Sequence, residues 1–342
     1  MSTLGDLEQR LHRLASMSSP PDAATLCETM EAATAAMAEQ GQSVRPPDEA
    51  GHPGGLVYLV RDIPTVVVPD LHGRRGFIIS LMEFSLKPWG VDMRLIDALA
   101  AAEAQLVFVG DYVHGEARAM DRWFEAYEEY KGGYRRRAAG DGEMTESLGV
   151  LMMVASLKDS FPGMVHGLKG NHENIANEYR EGNYPFRKFV EEGAMVADYM
   201  DRFYPGAPVS SIYRFEKSLP LMAVGNRFLV SHAEPVRPFE PGEIVNGATS
   251  EEVVAGLTWT ANGQAEPDSV AQTLRFFFGP DRGDTYLFGG HRPIESRYAL
   301  RAQGRYVQLH NPERYIVAVL PGEGEIDFER DIEELPRHSE AE

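Results

Sequence analysis

Cysteine is almost absent: the 342-residue chain has one, Cys27. A lone cysteine excludes an internal disulfide framework and a zinc site built from several thiolates. Also missing is any apolar run of membrane-spanning length. Met1 to Arg13 is polar and mixed in charge, without the apolar centre of a secretory signal. Basic charge is scarce, with 33 Lys and Arg against 52 Asp and Glu and a formal net charge of −19. Such a surface does not hold a polyanion, so neither nucleic acid nor membrane is an expected partner. A reducing cytoplasm is the expected compartment. With 43% hydrophobic and 25% charged residues, the composition is that of an ordinary globular protein. The length suits one large catalytic domain with additions.

Three segments are expected. Residues 1–55 read as a helical extension and linker: an amphipathic helix over Leu4 to Ala15, a second helix over Ala23 to Gln40, then a Pro- and Gly-rich stretch from Arg45 to Gly55. Residues 56–321 read as the catalytic domain. Residues 322–342 read as a solvated acidic tail, with nine acidic residues against Arg330 and Arg337. One basic cluster, Lys131 with Arg135 to Arg137, breaks the trend and reads as a solvated loop before it reads as a phosphate clamp.

Within the central segment one pattern recurs. A short apolar strand ends on a polar residue able to bind a metal or move a proton. Thr65 to Val68 leads to Asp70-Leu71-His72-Gly73, and Gln105 to Val109 leads to Gly110-Asp111. Met164 to Leu168 leads to Gly170-Asn171-His172-Glu173. Arg227 to Val230 leads to Ser231-His232, and Tyr286 to Phe288 leads to Gly289-Gly290-His291. In α/β sheets, sites form at the carboxyl ends of strands. Helices are expected over Gly76 to Leu86, Ala119 to Tyr130, Met144 to Asp159 and Phe186 to Phe203, and a β-meander over Tyr298 to Leu320.

These residue types suit two-metal hydrolysis. Two cations about 3.5–4 Å apart clamp the attacking and leaving oxygens, and a water between them is acidified into a nucleophile. Close cations repel, so an anionic ligand must lie between them, and Asp111 can bridge. A mixed Asp, His and Asn set suits first-row ions, Mn²⁺ first and Fe or Zn²⁺ next, better than Ca²⁺ or Mg²⁺.

The five motifs, in this order, resemble those of the calcineurin-like metallophosphoesterases over roughly Val57 to Leu320. Gly110-Asp111-Tyr112-Val113 and Leu168-Lys169-Gly170-Asn171-His172-Glu173 look most like the phosphoprotein phosphatase branch. The resemblance implies an αββα sandwich of two mixed sheets flanked by helices. It implies that Asp70, His72 and Asp111 hold one ion, and that Asp111, Asn171, His232 and His291 hold the other. It implies His172 as general acid. The last motif is Gly290-His291-Arg292-Pro293, without the second His of the Gly-His-x-His form, which favours phosphatases and diadenosine polyphosphate hydrolases over nucleases.

Two departures stand out. The branch has Asp-Arg-Gly after this second motif, the Asp orienting the catalytic His and the Arg gripping phosphate. Here His114-Gly115-Glu116 stands instead. His114 is then either a modified catalytic partner or a mark of lost function. Phosphate must be gripped elsewhere, with Arg118, Arg180 and Arg292 as candidates, since a guanidinium suits oxyanions. Of the other histidines, His12, His52, His310 and His338 read as surface or loop residues and His166 as a core residue.

The expected function is hydrolysis of phosphomonoesters, on phosphoproteins or small molecules. A nucleotide or dinucleoside polyphosphate hydrolase is the alternative enzyme. A metal-bearing binding protein without turnover is the alternative outside catalysis.

Overall fold

The computed structural model describes residues 3–280 and 282–337. His338 and the last acidic residues of the tail lie outside the described residues.

The chain opens with α1 (Leu4–Ala15) and α2 (Ala23–Ala38), then β1 (Leu56–Tyr58), β2 (Thr65–Val68), α3 (Arg75–Met82), α4 (Leu95–Ala100) and β3 (Gln105–Phe108). Next come α5 (Met120–Lys131), α6 (Ala138–Ser160), β4 (Val165–Gly167), α7 (Glu192–Phe203), α8 (Ala207–Ser218), β5 (Met222–Val224) and β6 (Phe228–Ser231). Then follow α9 (Pro241–Val245), α10 (Glu251–Thr258), α11 (Ser269–Phe278), β7 (Tyr286–Gly289), β8 (Ala299–Arg301) and β9 (Tyr306–Gln308). The last elements are β10 (Tyr315–Leu320), α12 (Phe328–Asp331) and β11 (Ile332–Leu335).

The strands form two mixed sheets, ordered β1-β5-β6-β7-β9-β8 and β11-β10-β2-β3-β4. Alternation along the central strands shows how they stack. Val66, Val68, Leu106 and Phe108 face the helices α1 to α6, while Val67, Val107 and Val109 meet Val230, Phe288, Val307 and Ile316 between the sheets. Leu229 and Leu287 point the other way, into a third core under α9, α10 and α11. Both faces of each inner strand are covered, so the strands read as unbroken apolar runs. The result is the expected αββα sandwich.

Some local expectations change. Residues 298–320 are not a meander: β8 and β9 pair in one sheet, but β10 crosses to pair antiparallel with β2 in the other. The helix expected from Phe186 begins at Glu192, whose carboxylate accepts from the backbone N–H groups of Lys188 (2.9 Å) and Phe189 (2.6 Å) and holds the preceding segment as a loop. β5 is too short to stand out as a strand run in the sequence.

The acidic tail is not wholly solvated. Ile332 and Leu335 are buried as β11 pairs with β10, one in the core between the sheets and one in the core under the helices, while Glu333 is half-buried and Glu334 exposed. Two charges inside an edge strand discourage pairing with a further chain.

The N-terminal helices pack on α3, α6 and α8. Thr3 and Asp6 form a capping box at the start of α1, and Asp22 caps α2. Leu7, Leu11, Leu14, Leu26 and Met30 join the core beneath the β2-β3 sheet. Arg75 fastens the turn between the two helices by donating to the carbonyls of Leu14 (3.0 Å) and Met17 (2.8 Å). Leu26 is fully buried, so Leu26→Ala should lower the stability of the whole chain by about 2–5 kcal/mol. Denaturant unfolding followed by both far-UV and tryptophan signals should give one shifted transition. A change under about 0.5 kcal/mol, the level of surface substitutions, would mean that α2 is an appendage rather than part of the core.

Candidate metal centre

The loops after β2, β3, β4, β6 and β7 meet at one edge of the sandwich. Four of their residues, His72 (φ 43°), Asp111 (φ 52°), His114 (φ 64°) and His291 (φ 64°), hold left-handed backbone. That conformation is strained for non-glycine residues and must be enforced by its surroundings. The loops bind one another. The amides of Leu71 and His72 donate to the Asp111 carbonyl at 3.0 and 2.8 Å, and Gly290 N donates to the His232 carbonyl at 2.9 Å. Glu173 joins two motifs by accepting from Asp111 N (2.9 Å), Tyr112 N (2.9 Å) and Gly170 N (2.7 Å). Glycine before the ligands is a matter of space: a Cβ at Gly170 would collide with Asp111 Oδ1, and one at Gly290 with Asp70 Oδ1.

Asp111 stands at the centre. Its Oδ2 lies 3.7 Å from His72 Nε2, 3.6 Å from His172 Nε2 and 3.4 Å from His232 Nε2. Its Oδ1 accepts from His172 N at 3.0 Å. On one side are Asp70 and His72, with Asp70 Oδ2 3.7 Å from His72 Nε2. On the other, Asn171 Oδ1 lies 3.0 Å from His232 Nε2 and 2.9 Å from His291 Nδ1. Thus Asp70, His72, Asp111, Asn171, His232 and His291 do come together.

The imidazoles are aimed by their far nitrogens. His72 Nδ1 donates to the carbonyls of Val113 (3.2 Å) and His114 (3.0 Å), and His232 Nδ1 donates to that of Val109 (3.1 Å). Each therefore turns Nε2 toward the carboxylates, the arrangement that outer-shell acceptors impose on metal-ligating histidines. His291 Nε2 is buried without a partner.

The electrostatics match this donor set. Burial opposes the charge on His72, but Glu116, Asp70 and Asp111 outweigh it and raise its pKa to about 9. Burial likewise opposes the charge on His232, and Asp111 and Asp70 raise it to about 9. Asp70 is held at about 2, where the imidazoles of His310, His72 and His232 overcome its burial. Carboxylates this deep demand positive charge, and protons on His72 and His232 answer that demand when no cation does.

His114 faces His172, Nδ1 to Nδ1 at 3.0 Å. Burial, then His72, pushes His114 down to about 3, and burial pushes His172 well below the ordinary histidine range. One proton is therefore shared between two neutral rings. His114 Nε2 is buried and unpartnered, and a buried N–H is left orphaned less readily than an acceptor. The proton accordingly sits on His114 Nδ1 and is donated to His172 Nδ1. His172 then carries its own proton on Nε2, facing Asp111. Phe186, expected in a helix, instead covers both rings, its centroid 3.7 Å from that of His172 and 5.3 Å from that of His114.

Gly115 leaves no room for the arginine of the phosphatase pattern. Its N–H donates to Glu143 Oε1 at 2.7 Å, and a Cβ there would come within 2.7 Å of Ala119 Cβ. Of the three candidate arginines, Arg118 reaches the His72 carbonyl at 3.0 Å but is paired with Glu146 at 2.7 Å. Arg180 is not brought to the cluster; it is bound to Glu178 and Tyr213. Arg292 is exposed beside His291, and its charge contributes to pressing His291 down to about 3 after burial and His232. Arg137, from the basic cluster, pairs with Asp141 and lies over Phe203.

Two further residues join the cluster: Glu116, from the altered triad, and His310. His310, expected at the surface, is fully buried, with Nε2 2.8 Å from Glu116 Oε2 and Nδ1 3.8 Å from Asp70 Oδ2. Glu116 also lies 3.6 Å from His72 Nε2 and 3.2 Å from Lys188 Nζ. Its two oxygens serve these groups rather than standing in for the missing carboxylate beside His172. No motif marks His310. The one available signal is that His310 follows the short strand-like stretch Tyr306-Val307-Gln308-Leu309, as the other site residues follow theirs.

No protein-family profile matches the chain, and no curated protein matches its sequence. Solved structures do match. A protein serine/threonine phosphatase from Saccharomyces cerevisiae with similarity to human phosphatase PP5 is 14% identical, with 92% of this chain and 90% of that one covered and a TM-score of 0.57. The cold-active protein-tyrosine phosphatase of a psychrophilic Shewanella species is also 14% identical, with 82% of each chain covered and a TM-score of 0.38. With its two mixed sheets, its helical flanks and its motif loops at one edge, the chain has the αββα sandwich fold of that serine/threonine phosphatase.

Proposed function

We propose that this protein is a metal-dependent phosphomonoesterase with a binuclear centre. Asp70, His72 and Asp111 hold one divalent ion, and Asp111, Asn171, His232 and His291 hold the other. The observation that carries the reading is Asp111 Oδ2, within 3.4–3.7 Å of imidazoles from three other loops. A single carboxylate oxygen so placed suits a shared ligand. The donor set of carboxylate, imidazole and amide favours Mn²⁺, with Fe or Zn²⁺ as alternatives. Bound there, the ions would supply Lewis acidity and a water acidic enough to attack phosphorus at neutral pH.

The chain's own residues supply the rest. His172 holds a proton on Nε2 and gives it to the leaving oxygen. His114 keeps His172 in that tautomer, and Phe186 shields the pair from water. A neutral His114 orients without lending charge, unlike the carboxylate of the resembled family. Arg292 is the guanidinium free to meet a phosphoryl group at the rim. The retained His114–His172 pairing favours turnover over a binding role.

Assaying p-nitrophenyl phosphate, phosphopeptides and diadenosine tetraphosphate with added Mn²⁺ tests the reading. Hydrolysis of the monoesters is expected, and cleavage of the dinucleotide alone would overturn it.

Two further outcomes are expected. A positioned general acid contributes about 10²–10⁴-fold, and most for poor leaving groups. His172→Asn should therefore slow an alkyl phosphate far more than p-nitrophenyl phosphate; equal losses would deny His172 the role. Metal uptake should also release protons. His72 and His232 are raised to about 9 without a cation, so both are charged at pH 7.5 and must become neutral to ligate. Calorimetry in buffers of differing ionisation enthalpy should show about two protons leaving at pH 7.5, and fewer above pH 9. Uptake with no proton release at pH 7.5 would contradict the assignment.

A further inference from the structure

The Asp70–His72 side of the centre contains one more donor than the five motifs provide. His310 is fully buried, and its two ring nitrogens are in unlike situations. Nε2 lies 2.8 Å from Glu116 Oε2, so it carries the proton and donates to that carboxylate. Nδ1 has no hydrogen-bond partner, and it lies 3.8 Å from Asp70 Oδ2. Donor atoms of Asp70, His72 and His310 all lie within 4.8 Å of one another.

A core histidine kept for structure would use both nitrogens, because a buried polar atom without a partner is unfavourable. A ring held at one nitrogen by a carboxylate, with the other nitrogen bare among acidic oxygens, is the arrangement of a metal ligand with its outer-shell partner.

Topology explains how His310 arrives. β7 and β9 are parallel neighbours with Gly289 opposite Gln308, and Leu309 N donates to the Gly289 carbonyl at 2.9 Å. Two residues further along each strand come His291 and His310. The adjacent strands thus deliver their histidines at matched positions, one to each side of Asp111. The last motif, Gly290-His291-Arg292-Pro293, lacks a second histidine. The next strand supplies one.

We infer that His310 is a ligand, through Nδ1, of the ion held by Asp70, His72 and Asp111, and that Glu116 positions it through Nε2. The inference rests on the metal-binding reading above and adds a fourth protein ligand to that ion. Two imidazoles and two carboxylates suit a borderline first-row cation, and disfavour Mg²⁺ and Ca²⁺. Glu116, tied to His310 and Lys188 and close to His72, is a positioning residue in the place where the family pattern has glycine.

The test is metal binding by the full-length chain, read without any substrate. Mn²⁺ and Zn²⁺ affinities are measured by chelator competition and stoichiometry by elemental analysis, for the parent, His310→Gln and Glu116→Gln. The parent should bind two ions. His310→Gln should weaken one of the two by at least 10–100-fold and leave the other near its parental value, and Glu116→Gln should weaken the same ion about 10–100-fold, the usual effect of losing an outer-shell partner. Circular dichroism checks that each variant folds. If His310→Gln does not fold, crystals of the metal-loaded parent decide: anomalous scattering should place an ion about 2.0–2.2 Å from His310 Nδ1. Two ions bound by His310→Gln with parental affinities, or an ion on Asp70 and His72 that does not contact Nδ1, would overturn the inference while leaving the binuclear reading in place. A parent that binds no ion would overturn both.

Discussion

The centre depends on buried negative charge. Asp70, Asp111 and Glu116 sit almost wholly out of water within one small volume, and nothing apolar can stabilise them there. The imidazoles of His72 and His232 compensate in the metal-free protein, as their raised pKa values show. Carboxylates that keep the neighbouring imidazoles protonated form a place where a divalent cation could displace those protons. The same charges that make the site unfavourable to fold suit it to receive a cation.

Holding such a site requires rigidity, and the fold provides it from two directions. Between the sheets, Val67, Val107, Val109, Val230 and Phe288 lock the strands whose ends carry the ligands. At the strand ends the loops clasp one another by backbone hydrogen bonds, and Glu173 gathers three amides. Left-handed backbone at His72, Asp111, His114 and His291 is maintained by these bonds. Remote packing, local strain and ligand placement form one connected arrangement.

The residues that come together at the candidate centre were legible because each follows a short strand and stands inside a contiguous motif. The sandwich was legible for the same reason, since both faces of β2, β3, β6 and β7 are covered and their sequences are mostly apolar. Residues whose role comes from register were not legible. His310 sits beside Asp70 because β9 lies next to β7, and Glu116 turns toward His310 across 194 positions of sequence. Phe186 was read as helix because its neighbours have helical periodicity, yet Glu192 ties the amides of Lys188 and Phe189 into a loop ahead of the helix and leaves Phe186 to cover His172. β10 was read as part of a meander because apolar alternation cannot say which sheet a strand joins. The glycine at 115 acquires a reason only from its crowding against Ala119.

The central claim is that one carboxylate, Asp111, serves both halves of the centre. Elemental analysis of Asp111→Asn against the parent, after equilibration with Mn²⁺ and gel filtration, tests it directly. Asn keeps the shape and removes the charge that lets two cations approach each other. The account predicts two ions per chain in the parent and loss of occupancy at both positions in the variant, with the fold intact by circular dichroism. Two ions per chain retained in Asp111→Asn would contradict it.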